Sequence, residues 1–201
     1  AGIPWALKMP LGHLVDLIWN KKNYMVFFGA GLLSISLMIM YGLIVHTEVM
    51  SNYLSVETWF VVSVLLAPVG YVVQDVVADA MTVEAVPLID DEGQSHSKEQ
   101  IKVMHTTMQT LGRFFIIGGT VLVGGINIVF FKDIEVLEQS EKLIVYGKIY
   151  LFALIVPLIS IVGVIISNKL LIKRKVQFQP EPNLNIIIGS FVFVIFIGMS
   201  S

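Results

Sequence analysis

Between Tyr24 and Val45 the chain runs for 22 residues without a charged side chain. A helix of that length rises about 33 Å, enough to cross a hydrocarbon layer of about 30 Å. The segment does not stand alone. Further apolar blocks cover 58–80, 106–131 and 149–168, a shorter one covers 1–17, and another opens at 183–201. Charged residues make up only 14% of the chain, where a soluble domain carries about 25%. Because the apolar residues come in membrane-length blocks and not in alternation with polar ones, the expected fold is all-α, a polytopic transmembrane helix bundle.

The same composition excludes several function classes. A formal charge of −2, with its positive residues scattered among connections, offers no basic field for nucleic acid. There is no cysteine, so disulfides, thiolate metal sites and cysteine nucleophiles are ruled out. Neither His-Glu-x-x-His nor Gly-x-Ser-x-Gly occurs, and no enzymatic activity, cofactor or metal is the expectation. The first residues lack the basic start and cleavage site of a signal peptide. Residues 1–17, interrupted by Pro4, Lys8 and Pro10, read as the second half of a helix belonging to a larger protein.

Charge asymmetry orients the bundle. The connections at 16–22, 81–105 and 168–182 hold two, two and four Lys or Arg, while those at 46–57 and 132–148 hold none and three. The first set is therefore expected in the cytoplasm, facing the inside of the plasma (inner) membrane. Lys21 and Lys22 would then answer an anionic inner surface. Ser97 and Gln100 have the spacing of a capping box, which predicts a helix that starts in water before entering the membrane. The charged stretch 132–148 reads as a loop.

Charges inside the apolar blocks are the candidates for function. Lys8 lies eight residues before Asp16; if Asp16 marks a helix end, Lys8 is about 12 Å inside the bilayer. It needs a carboxylate, a water-filled cavity or an anionic ligand there. Asp75 and Asp79 are four apart and share a helix face. Counting about 27 Å from Glu57 brings Asp75 to the cytoplasmic edge, and the same count from Lys132 brings Arg113 there. A carboxylate–guanidinium cluster that gates or couples transport is the expectation, with a purely structural ion pair as its alternative. Asp16, in the turn Gly12-x-x-x-Asp16, can accept hydrogen bonds at a helix end. Gly112 and Gly119, and Gly118 and Gly125, repeat at seven residues and predict faces for close helix packing, as do Gly29, Ala30, Gly31 and Ser34.

Three runs together resemble the folate-biopterin transporter family of the major facilitator superfamily and the neighbouring muropeptide permeases. They are Ile3-Pro4-Trp5-Ala6-Leu7-Lys8, the Gly12-x-x-x-Asp16 turn followed by Lys21 and Lys22, and Gln74-Asp75-Val-Val-Ala-Asp79-Ala80. Leu111-Gly112-Arg113 with Gly118 and Gly119 is similar to the start of the fifth helix in the permease branch. The chain departs from the family at Leu17-Ile18-Trp19-Asn20, where a Gly-Arg element is usual, and in the acidic stretch 88–99.

The resemblance implies a major facilitator bundle running from the end of helix two to the start of helix seven. Residues 1–168 would form most of the N-terminal half, 169–182 a cytoplasmic basic linker, and 183–201 the start of the C-terminal half. It implies secondary active transport, by symport or antiport, of an anionic solute such as a folate, pterin or muropeptide. A coupled proton, the lipid bilayer and the missing helices would be the partners. Lys8 would anchor the anionic group, with Asp16, Asp75, Asp79 and Arg113 gating or coupling. Two other readings compete. Asp75-x-x-x-Asp79 could hold Mg²⁺ and a diphosphate in a prenyl or diphosphate transferase, given a second acidic motif on another helix. A non-transporting scaffold is the other, though it has no use for a charge at Lys8.

Overall fold

The computed structural model describes residues 8–90, 92–171, 188 and 190. The expected half-helix is thus seen from Lys8 onward. Most of the expected linker 169–182 and of the span 183–201 lies outside the described residues, as do Ile3-Pro4-Trp5-Ala6-Leu7 and Asp91.

The described protein is all-helical. Its elements are α1 (Lys8–Leu17), α2 (Lys22–Val45), a short α3 (Thr47–Ser51), α4 (Val56–Glu84), α5 (Lys98–Phe131), α6 (Gln139–Ala153) and α7 (Ile155–Leu171), with 3₁₀ turns at Trp19–Lys21 and Ile134–Val136. Four segments among the described residues are long and apolar enough to cross a membrane: Trp19–Val45, Val56–Glu84, Lys98–Val136 and Gln139–Ser167. Large side chains such as Phe28, Leu65, Phe115 and Ile128 stand exposed on them. Lipid would cover these side chains, and each helix satisfies its own backbone, so the chain is a multi-pass membrane protein. Two compact units result, one comprising residues up to Ala78 with those from Tyr146, the other Asp79–Val145.

In the first unit α2 and α4 form an antiparallel pair with a readable register. Gly29 meets Gly70 and Ser36 meets Ser63, so seven residues forward on α2 correspond to seven backward on α4. A seven-residue step keeps the same two faces together only if the helices cross at a shallow left-handed angle of about 20°. At the glycines the backbones themselves touch. A Cβ on Gly70 would sit 2.7 Å from the carbonyl oxygen of Gly29, and one on Gly29 would sit 2.8 Å from that of Gly70. Two turns further along, Ser36 Oγ donates to the Ser63 carbonyl at 2.9 Å and Ser63 Oγ to the Ser36 carbonyl at 3.0 Å. Such reciprocal bonds suit a membrane, where packing and buried polar contacts replace the hydrophobic drive between helices. The expected patch around Gly29 is therefore used, with Gly70 as its partner.

The helix boundaries follow from local chemistry. Pro68 lies inside α4 without ending it; the only acceptor it strands is the Val64 carbonyl, and breaking the helix in an apolar medium would strand more. Pro157 acts differently. Its ring clashes with the carbonyl of Ala153, and it is there that α6 ends, with α7 resuming at Ile155. The expected loop 132–148 needs correction, because Gln139–Lys148 is helical. Glu and Lys are good helix formers, and Gly147 of α6 packs closely on Val45 and Tyr41 of α2. Lys22 also departs from expectation. While Lys21 is exposed, Lys22 is only 6% exposed, its ammonium 4.3 Å from the centroid of the buried Trp19 ring. Stacking on indole replaces part of the lost hydration.

In the second unit Asp90 ties together the described part of the acidic stretch. Asp90 Oδ1 accepts from the backbone N–H groups of Glu92 at 3.0 Å and Gln94 at 2.7 Å, and Gly93 takes φ 84°, which favours glycine. Ser97 and Gln100 then form the complete capping box expected of them. The helix they start, α5, buries none of its residues.

Candidate functional site

Four valines of α4, Val72, Val73, Val76 and Val77, are 1%, 3%, 4% and 0% exposed. Between them sit Gln74 and Asp75, two polar residues within an apolar seam. Asp75 Oδ2 accepts from Lys8 Nζ at 2.6 Å, a short charge-assisted bond between α4 and α1. The two side chains remain 38% and 25% exposed. Pro10, fully buried two residues after Lys8, and Val15, at 1% exposure, fix α1 against its neighbours. Lys8 lies eight residues before Asp16 and Asp75 nine before Glu84, so each charge is set back about 12–14 Å along its own helix from a polar end.

Gln74 faces elsewhere. Ser160 Oγ of α7 donates to its Oε1 at 3.3 Å, and its Cγ lies 2.8 Å from the point a Cβ on Gly29 would occupy. Glycine at 29 thus makes room for both a backbone and an amide. Gln74 Nε2 is buried without a hydrogen-bond partner among the described residues.

The remaining expected residues are placed as follows. Asp79 is exposed on α4, where its carbonyl accepts from Thr82 Oγ1 at 2.6 Å. Arg113 is exposed on α5 and makes no hydrogen bond or ion pair within the described part of its unit. Asp75, one of the two carboxylates expected in a cluster with Arg113, is held by the Lys8 ammonium. Asp16 is partly exposed, with Oδ2 3.7 Å from His13 Nδ1. At Gly112, Gly118, Gly119 and Gly125 an added Cβ meets nothing within 4 Å, so any close packing there involves no described residue. No group of three His, Asp or Glu able to hold a metal occurs among the described residues. Asp90 spends one carboxylate oxygen on its own loop.

Sequence reasoning identified Lys8 and Asp75 separately but did not join them, and it assigned nothing to Gln74 or Ser160. The available signal was an uncharged amide in an otherwise apolar helix. Comparison of the chain with known protein families, with characterised proteins and with solved structures finds no match.

Proposed function

We propose that the protein is a secondary active transporter of major facilitator type for an anionic organic solute of the folate, pterin or muropeptide class. The observation that carries this reading is the Lys8–Asp75 pair, a partly open ion pair set in a sealed valine seam. Ionisable groups within membrane helices commonly mark solute or proton pathways. An anionic group that takes over Lys8 leaves Asp75 as an uncompensated carboxylate. Uptake of one proton on Asp75 restores neutrality, so solute and proton are coupled through one exchange of partners. Return of the Lys8–Asp75 pair expels both. Asp79, Arg113 and Asp16 serve on this reading as gating charges, and the solute crosses near the midplane between two halves of the bundle.

The test is uptake of labelled folates, pterins and anhydro-muropeptides into vesicles carrying the full-length protein, with and without a proton gradient. Wild type should accumulate one of these in a gradient-dependent way, and Lys8→Ala, at equal protein level, should not. Absence of uptake for all three would overturn the solute class. Equal uptake by Lys8→Ala would remove Lys8 from the pathway.

A further inference from the structure

Gln74 is the feature this mechanism leaves unused. It is enclosed by α2 at Gly29 and by α7 at Ser160, yet its amide nitrogen has no partner among the described residues. Turning the amide by 180° does not cure this, because Nε2 would then reach Ser160 while Oε1 took the unpartnered place. The Ser160 hydroxyl has a second acceptor in the Val156 carbonyl of its own helix, at 3.4 Å, so it can donate there and accept from Gln74. In either arrangement one end of a buried amide stays unsatisfied. A methionine or leucine would fill the same volume without that cost. The chain thus holds a hydrogen-bonding group in reserve one residue from the charge that Lys8 binds.

We propose that Gln74, backed by Ser160, is a subsite for a neutral amide group of the transported solute, separate from the anion site at Lys8. A primary carboxamide offers one donor and one acceptor side by side, which complements the C=O and N–H of a lactam or peptide amide. The solute would then be an anion that also carries an amide, and simple carboxylates would be discriminated against. Recognition through a buried polar group rejects analogues that lack its partner more sharply than an apolar pocket does. This inference rests on the transporter reading.

The experiment measures uptake kinetics for Gln74→Met in the full-length protein, with pterin-6-carboxylate and benzoate as probes, alongside thermal stability without solute. For pterin-6-carboxylate, Gln74→Met should raise KM about three- to tenfold with kcat little changed, the effect of one lost hydrogen bond. Wild type should transport benzoate poorly. Thermal stability of Gln74→Met should equal or exceed that of wild type, because an unpartnered amide has been removed. Gln74→Asn, which keeps the amide but withdraws it by one methylene, should also raise KM and serves if the methionine variant does not accumulate. Wild-type transport with KM unchanged in both variants overturns the subsite alone, whether or not stability falls. Failure of wild type to transport pterin-6-carboxylate, folates or muropeptides overturns the transporter reading, and the subsite with it.

Discussion

Replacing Gly70 by alanine tests the geometry on which the first unit depends. The new Cβ would lie 2.7 Å from the Gly29 carbonyl oxygen and 3.0 Å from the Leu33 nitrogen. Both are backbone atoms, so no rotamer change relieves the contact, and carbon–oxygen contacts between helices settle at about 3.3–3.6 Å. The helices must therefore part by roughly half an ångström or more. Overpacking of this kind costs about 1–3 kcal/mol, while alanine recovers about 0.8–1 kcal/mol of helix propensity. Parting the helices also stretches the Ser36–Ser63 bonds two turns away, each worth about 1 kcal/mol. The net expected loss is about 1–3 kcal/mol, or several degrees in thermal midpoint at about 2–4 °C per kcal/mol for a chain of this size. Gly119→Ala is the internal control, since its Cβ meets nothing within 4 Å; it should leave the midpoint unchanged or raise it. The assay is thermal unfolding of the full-length protein in detergent, followed by intrinsic fluorescence. A Gly70→Ala protein as stable as Gly119→Ala would refute the close-approach argument.

Three further outcomes follow from the same contacts. Lys8→Ala and Asp75→Ala should each destabilise, and the double variant should lose less than the sum by about 1–3 kcal/mol, since the two charges bind each other directly; additive losses in a double-mutant cycle would show that the pair contributes nothing. Ser97→Ala removes the acceptor of the Gln100 N–H and should lower stability by about 1 kcal/mol, with the loss confined to hydrogen-exchange protection in the first turn of α5. Pro157→Ala gives the Ala153 carbonyl a donor and removes the ring clash; it should fuse α6 and α7, slowing amide exchange at Leu154 and Ile155, and unchanged exchange there would mean that proline is not what breaks the helix.

How much of this was legible in the sequence depends on which coordinate each inference needed. Existence of the membrane-length helices came from one-dimensional signals: the charge-free run from Tyr24 predicts α2, and Ser97 with Gln100 predicts the start of α5. Pairing needs a second coordinate, the direction in which a side chain points around its helix and which helix stands there. Depth counting put Asp75 level with Arg113 but could not show that Lys8, on a different helix, binds its carboxylate. For Lys8 it left open a carboxylate, a water-filled cavity or an anionic ligand, and the structure places the Asp75 carboxylate there. Gln139–Lys148 was misread as a loop because hydropathy registers charge, whereas helix formation there is favoured by Glu141, Lys142 and Lys148 and stabilised by the contact of Gly147 with α2. Gln74 was given no role for the opposite reason, being uncharged.

Whether the Lys8–Asp75 pair is a staple or a working element turns on how its two sides differ. A staple between helices gains most when both charges are sealed together and their remaining hydrogen-bonding capacity is satisfied, since only then does the short bond outweigh desolvation. Here the valines on either side are sealed to 4% exposure or less, yet the Lys8 and Asp75 side chains keep 38% and 25% of their surface open. The rigid part of the seam is thus hydrocarbon, and the charges sit at its margin. Partners at a margin can be exchanged without unpacking Val72, Val73, Val76 and Val77, so on the proposed reading a solute anion would displace Asp75 from Lys8 and leave the helix contact intact. On the proposed reading, that open side is where a solute anion would meet Lys8.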